Sequence, residues 1–389
     1  MSYARTSLKG VMFYDSRGAY KGYTLLLPME GTGAWLIDML GKIVNQWALP
    51  YKPGYDVKLL PNGNLLYVGK DETSTLVDLE GSSGILLEVD WNGKSVWEYK
   101  DSMLHHACYR KKNGNTLVIK WVEVPNEIAV RVRGGEVSHR ENVIMWGDAI
   151  QEINPNGKVT WEWLAHEHIN PDVTIRCPIC PRDTWTHANA VSEFPNGNVI
   201  VSFMKTNTLA IIEKRTGNII WEWGHGQLGH QHDPTILDNG NILVFDNDMH
   251  KGGFAWGLSR VIEINRHTNE IVWAYGGGGH EALVFHSSTL GTCQRLPNGN
   301  TLICEGTTGR VFEVDNLGRL VWEFGNNLPS CSPNSGKTRS YMVCSAYRYG
   351  PDYLGLRMPV PLAFDREPAP GTQISEQNHL EERLRSLGY

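Results

Sequence analysis

Histidine and cysteine are the side chains here best suited to chemistry, and several stand in short polar groups. Residues 229–235 read GHQHDPT, residues 184–190 read TWTHANA, and His106 and His286 occupy comparable stretches elsewhere. Imidazole titrates near neutrality, so His106, His187 and His232 can act as nucleophile or general acid and base. It also binds transition metals, and one nitrogen from each of His106, His187, His232 and His286 would make a four-nitrogen site. A connector, HEHINPDVTIRCPIC, adds His166, His168, Cys177 and Cys180. These four are ligands of the right kind for structural zinc, set against the plainer reading of an ordered loop.

Such residues act together only if the chain folds them to one place, and an internal repeat does this. Five segments carry an Asn-Gly-Asn turn between apolar runs: LLPNGNLLYV, KKNGNTLVI, FPNGNVIVSF, LDNGNILVF and LPNGNTLIC. Asn-Gly between such runs predicts a hairpin with a type I′ turn, positive φ at both central residues. Each hairpin is followed by a second one whose last strand ends in tryptophan: LLEVDWNGKSVWEY, IQEINPNGKVTWEW, AIIEKRTGNIIWEWG, VIEINRHTNEIVWAYG and VFEVDNLGRLVWEFG, with a degenerate first copy, AWLIDMLGKIVNQWAL. The six tryptophans, Trp47, Trp97, Trp161, Trp221, Trp273 and Trp322, are 50, 64, 60, 52 and 49 residues apart. Four strands in a unit of that length is the arithmetic of a propeller blade.

The reading is an all-β, six-bladed β-propeller of four-stranded blades over residues 1–355, with a C-terminal extension over 356–389. The first copy has a strand, YTLLLP, but no Asn-Gly-Asn hairpin, and SYMVCSAYRY follows the last tryptophan unpaired. The ring is therefore expected to close by joining both termini in one blade, with the tryptophans packed between blades. Insertions stand near 120–148 and 164–186, the first longer than an ordinary hairpin loop. The tail is a candidate for a surface wrap or a homo-oligomer contact.

The repeat gives the polar groups a common register. His106 stands seven residues ahead of Asn113, His232 seven ahead of Asn239, and Asn189 seven ahead of Asn196, with His187 two residues earlier on the same strand face. Tyr55 and Asp56 occupy that place in the second blade, and Gly291 and Thr292 in the sixth, with His286 upstream. Innermost strands line the channel of a propeller, so these residues converge on its axis. A repeat shaped only by packing would fill those places with small or apolar groups. Convergent polar groups at a channel mouth define the candidate site.

Composition removes other classes. The net charge is -6, and no run of Lys or Arg could track phosphates, which argues against a nucleic-acid partner. No apolar span is long enough for a bilayer, and the first 23 residues lack an apolar signal core. Seven irregularly spaced cysteines do not form a disulfide framework. A cytoplasmic location is expected, or a periplasmic one if a leader has been removed.

Four segments resemble the bacterial arylsulfate sulfotransferases: GVMFYDSRGAYKGYTLLLP with AWLIDMLGKIVNQW, TWTHANAVSEFPNGNVIVSFMKTNTLAIIEKRTGNIIWEWG, HQHDPTILDNGNILVFDND, and YMVCSAYRYGPDYLG. The resemblance runs from about residue 10 to 355 and implies a six-bladed propeller. It also implies transfer of a sulfuryl group from an aryl sulfate to a phenol through a sulfohistidine, without the nucleotide donor PAPS and with no required cofactor. By motif, His232 would be the nucleophile, His187 and Asn189 would bind sulfate oxygens, His106 would be a further sulfate ligand or acid, and Thr292 would match a family threonine. Lys205 stands where the family has arginine; it keeps the charge and loses the bidentate geometry. Two rival readings are a metal-dependent lyase or oxygenase with metal on the axial histidines, and a non-catalytic propeller that binds a partner.

Overall fold

The structure, a computed structural model, describes residues 9–136, 144–172, 175–177, 179–250, 257–278, 284–328 and 341–356. The extension expected over 356–389 falls outside these except for residue 356, as does part of the 120–148 insertion. Six antiparallel sheets make the six blades of the propeller. From the channel outward, the second blade is Lys52–Leu59, Leu65–Lys70, Gly84–Val89 and Ser95–Lys100. The third to sixth blades repeat that order, starting from Leu104–Arg110, Ala188–Glu193, His232–Ile236 and Thr292–Arg295.

The ring closes as the unpaired segments require. Val343–Tyr349 is the innermost strand of the first blade and pairs antiparallel with Tyr23–Pro28. An additional strand, Gly10–Tyr14, pairs with the outermost strand of the sixth blade, Leu320–Gly325, and so both ends of the chain fasten the ring.

Burial follows the position of each strand. YTLLLP and GILLEV are buried at every residue, because blades cover both their faces. The outer strand SVWEYK has four exposed residues, Ser95 at its start and then Val96, Glu98 and Lys100 at alternate positions, as expected for one wetted face.

The Asn-Gly-Asn turns take a different form from the type I′ expected. Left-handed φ falls on glycine only, at 86° for Gly63 and 82° for Gly240, and none of the preceding asparagines has positive φ. Gly63 N–H donates to Leu60 O, and Asn64 N–H donates to Asn62 Oδ1. This is a type I turn followed by a left-handed glycine, the form that Pro61 requires, because its ring fixes φ near -65°.

The second asparagine of the motif has a separate task. Asn64, Asn115, Asn241 and Asn300 each donate a side-chain N–H to a glutamate on their own blade's third strand, respectively Glu88, Glu152, Glu263 and Glu313. The same carboxylates receive a cation from the next blade: Arg110, Lys214, Arg295 and Arg348. Blades one and four lack the glutamate, having Leu36 and Ile211 at the equivalent register.

The six repeat tryptophans complete the joints. Indole N–H groups of Trp47, Trp97, Trp161 and Trp273 donate to the backbone of the next blade's outer turn, at Asp90, Pro155, Lys214 and Asn316. Trp221 donates to Asn269 Oδ1, and Trp322 donates to Met39 O across the closure.

The described parts of the two insertions fold on each other. Glu136 N–H donates to Cys180 O and Ile175 N–H to Arg133 O, while Trp146 and Thr184 form a parallel bridge. Within the first insertion, residues 126–129 form one helical turn.

Candidate active site

The innermost strands enclose an axial cavity of about 410 Å³, lined by Asp56, His106, Asn189, His232 and Thr292 among others from all six blades. Five of the residues that share the repeat register therefore meet at one place. Backbone at the strand entrances is unusual: Tyr55, His187, His230, Asp233 and Leu290 are all non-glycine residues with φ between 49° and 82°. Left-handed backbone of this kind collects where side chains must be aimed against the regular pleat.

His232 is the most tightly specified member. Its Nδ1 lies 2.9 Å from His230 O and 2.7 Å from Asn247 Oδ1. Asn247 is fully buried, and its Nδ2 donates to Ser287 O and Leu290 O, both at 2.8 Å. Those two carbonyls fix the amide's orientation, so Oδ1 faces the imidazole as an acceptor. With two acceptors on Nδ1, the proton sits there and the lone pair is on Nε2.

A second group of imidazoles stands beside it. Ligand nitrogens of His105, His106 and His187 lie within 4.8 Å of one another. Ring centroids of His105 and His106 are 4.2 Å apart, and those of His105 and His187 are 4.9 Å apart. His106 Nδ1 lies 3.3 Å from Gly81 O, its acceptor. Among the described residues, neither ring nitrogen of His105 has a hydrogen-bond partner, nor has His187 Nδ1, and both residues are buried.

Burial keeps the group neutral. It pushes His106 down to about 3, with the His232 ring adding to the effect, and His232 down to about 4 against the opposing hydrogen bond to Asn247. For the same reason His105 and His187 are held well below the ordinary imidazole range.

The remaining expected residues are placed as follows. Asn189 Nδ2 donates to Gln231 O, and its Oδ1 is buried with no partner among the described residues. Asp56 lines the cavity and faces Lys58 at 3.3 Å. Thr292 Oγ1 donates to Ala346 O and accepts from Ala346 N–H, tying the sixth blade to the closing strand. His286 does not line the cavity, and its Nδ1 lies 3.5 Å from Ser259 Oγ.

Lys205 is also away from the lining. Its buried ammonium donates to Pro181 O and Thr184 O and faces Asp183 at 3.4 Å, so it anchors the second insertion. Asp233 is not bonded to the His232 ring; it accepts from Cys293 N–H and Tyr347 O–H, joining three blades.

Two residues of the cluster escaped the sequence reading. His105 was hidden by strand alternation, which sends neighbours to opposite faces. The strand bulges here, because Leu104 and Cys108 pair with Lys120 and Val118, four residues against two, and both histidines reach one cluster. Asn247, in FDND, carries no sign of its role in sequence.

The connector splits its expected ligand set. Cys177 and Cys180 come together with His230 and His250, not with His166 or His168. His168 instead stacks on Trp163, with ring centroids 5.0 Å apart, and His166 Nδ1 is buried with no partner among the described residues.

Behind His187, the fully buried Asp148 accepts from the Thr186 hydroxyl and from Ala188 N–H at 2.8 Å. Burial pushes this carboxyl from the ordinary 3.8 up to about 6, against those hydrogen bonds. A folded-state value above the unfolded one means that its contribution is fully present below about pH 4 and is lost as pH rises through 6. Asp148→Asn keeps an acceptor for both bonds and cannot ionise. Relative to the parent, the variant should gain up to roughly 3 kcal/mol between pH 4 and pH 7, read from urea unfolding.

Fold and site together define a six-bladed propeller whose axial cavity is lined by the partly buried, neutral imidazoles of His106 and His232. The chain belongs to the arylsulfotransferase (ASST) family, whose model matches residues 56–327. No curated protein matches it significantly. Among solved structures, it is similar to a protein of unknown function from Bacteroides caccae, at 16% identity and a TM-score of 0.52, covering 84% of this chain and 98% of that one. It also has a weaker likeness to a catalytically inactive virginiamycin B lyase from Staphylococcus aureus solved with quinupristin, at 13% identity and a TM-score of 0.40, covering 71% of each chain. At these identities the likeness concerns the fold alone.

Proposed function

We propose that the protein moves a sulfuryl group from an aryl sulfate ester to a phenolic acceptor through a sulfohistidine at His232. The observation that carries this reading is the pair of acceptors on His232 Nδ1, which leaves Nε2 with a free lone pair on a residue of the cavity wall. Nε2 attacks sulfur, the bond from sulfur to the aryl oxygen breaks, and the phenolate leaves with that electron pair. In the second half, the acceptor oxygen attacks sulfur, the nitrogen–sulfur bond breaks with its electron pair returning to Nε2, and the acceptor's proton passes to solvent, balancing the phenolate released in the first half. Nε2 regains its lone pair, so the cycle consumes no other reactant. Family membership supports the substrate class, an aryl sulfate and a phenol.

The other imidazoles serve the transferring group on this reading. Negative charge spreads over the peripheral oxygens in the transition state, and N–H donors aimed there stabilise it. His105 and His187 have ring nitrogens without partners for such contacts, and His106 stands beside them.

Incubation with 4-nitrophenyl sulfate tests the proposal. The expected result is a burst of 4-nitrophenol and a mass gain of one sulfuryl group on the His232 peptide, the mass gain being discharged by added phenol as phenyl sulfate. A protein that releases no phenol and gains no mass would overturn it.

The cluster of His105, His106 and His187 favours a second reading, a metal-dependent enzyme with a transition metal on these three nitrogens. Metal bound to the parent and lost on His105→Ala would support it; metal-free protein that still carries the burst would exclude it.

A further inference from the structure

The structure assigns a second site outside the cavity: we propose that Cys177, Cys180, His230 and His250 bind one structural zinc ion. Their ligand atoms all lie within 4.8 Å of one another. A tetrahedral zinc with two sulfur and two nitrogen ligands needs separations of roughly 3.3–3.8 Å. Cys180 Sγ is 3.6 Å from His230 Nε2, and Cys177 Sγ is 2.9 Å from His250 Nδ1, so small side-chain adjustments close the set.

The donor chemistry matches zinc better than the alternatives for such a group. Cys177 and Cys180 are both free thiols despite their Cys-x-x-Cys spacing, and both are buried. Two soft sulfurs and two imidazoles in a compact, closed set are the donors of a structural zinc, which needs no open position. None of the four residues lines the axial cavity. The site therefore stands whether or not the cavity transfers sulfuryl groups.

Its place in the fold supplies a reason for the metal. Cys177 and Cys180 come from the insertion that joins the third and fourth blades, while His230 and His250 flank the first two strands of the fifth. The insertion has little helix or sheet of its own, and a zinc would clamp it to the propeller. His230 N–H donates to Asn207 Oδ1, and His230 O accepts from His232 Nδ1, so the clamp would also fix the backbone that orients His232.

Protein purified without chelator or affinity metal, from zinc-supplemented culture, should contain one zinc per chain by elemental analysis of the monomer peak. The double variant Cys177→Ser with Cys180→Ser should lose it, and the double variant His166→Ala with His168→Ala should keep it. Cobalt(II) exchanged into the parent should give thiolate-to-metal charge transfer and strong tetrahedral d–d bands, a reading that does not depend on the variants folding. Absence of those bands, zinc retained by the cysteine double variant, or iron in place of zinc would each overturn the assignment. Failure of the sulfuryl burst with zinc present would count against the proposed function only.

Discussion

Replacing His232 by alanine should abolish the burst of phenol and the sulfated peptide together, lowering turnover by roughly four to six orders of magnitude. The loss is large because no other group in the cavity duplicates its chemistry. His106 has its Nδ1 on a carbonyl too, but a single contact at 3.3 Å holds it less firmly than the 2.7 and 2.9 Å pair on His232. Asn247→Leu gives the sharper test, since it removes the acceptor that fixes the His232 tautomer and touches no substrate. His230 O still accepts from Nδ1, so the burst should slow by about 10²-fold rather than vanish. The buried carbonyl of Leu290 loses its donor as well, and that of Ser287 keeps only the Ser259 hydroxyl, at about 1–3 kcal/mol of stability. A merely structural asparagine would show that stability loss with an unchanged rate of sulfated-enzyme formation in the folded fraction. Equal burst rates for parent and Asn247→Leu would remove Asn247 from the mechanism, and an unchanged burst in His232→Ala would remove the sulfohistidine there.

How much of this was legible in sequence depends on whether the signal is local. Asn-Gly turns and rim tryptophans recur along the chain, so blade count and closure could be read from spacing alone. The convergence of His106, Asn189, His232 and Thr292 followed from the same spacing, because innermost strands must face the axis. What the sequence could not reveal are the polar contacts that link residues far apart in the chain. The Asn-Gly-Asn asparagine looks like turn chemistry, yet its amide serves a glutamate 13 to 37 residues on, which meets a cation from the next blade. The sulfur ligands likewise suggested the nearest histidines, His166 and His168, whereas the fold pairs them with His230 and His250, 50 and 73 residues from Cys180 and Cys177. Lys205 shows the converse error: motif position pointed it at a sulfate, and the insertion's unpaired carbonyls claimed its ammonium instead.

The glutamate clamp makes the largest stability prediction at the closure of the ring. Glu313 and Arg348 are the pair in which both side chains are fully excluded from solvent. Arg348 donates from Nε to Thr24 Oγ1 and from Nη1 to Tyr20 O, lies 3.2 Å from Glu313 Oε2, and stacks over Trp322 at 4.5 Å. Glu313 Oε1 meanwhile accepts from Tyr20 N–H and Asn300 Nδ2. Arg348→Met keeps the bulk of the side chain and removes the charge, leaving a buried carboxylate with neutral donors only. Loss of one partner from a buried pair typically costs about 3–5 kcal/mol, much of it from the charge left behind. The double variant Arg348→Met with Glu313→Leu should therefore recover most of the loss in urea unfolding. Arg110 and Glu88 form the same clamp between the second and third blades, but their side chains are 14% and 11% exposed. Water can solvate that carboxylate when its partner is removed, so Arg110→Met should lose clearly less than Arg348→Met. Equal losses at the two clamps, or a double variant no better than Arg348→Met alone, would mean that packing over Trp322 and not the buried charge dominates the closure.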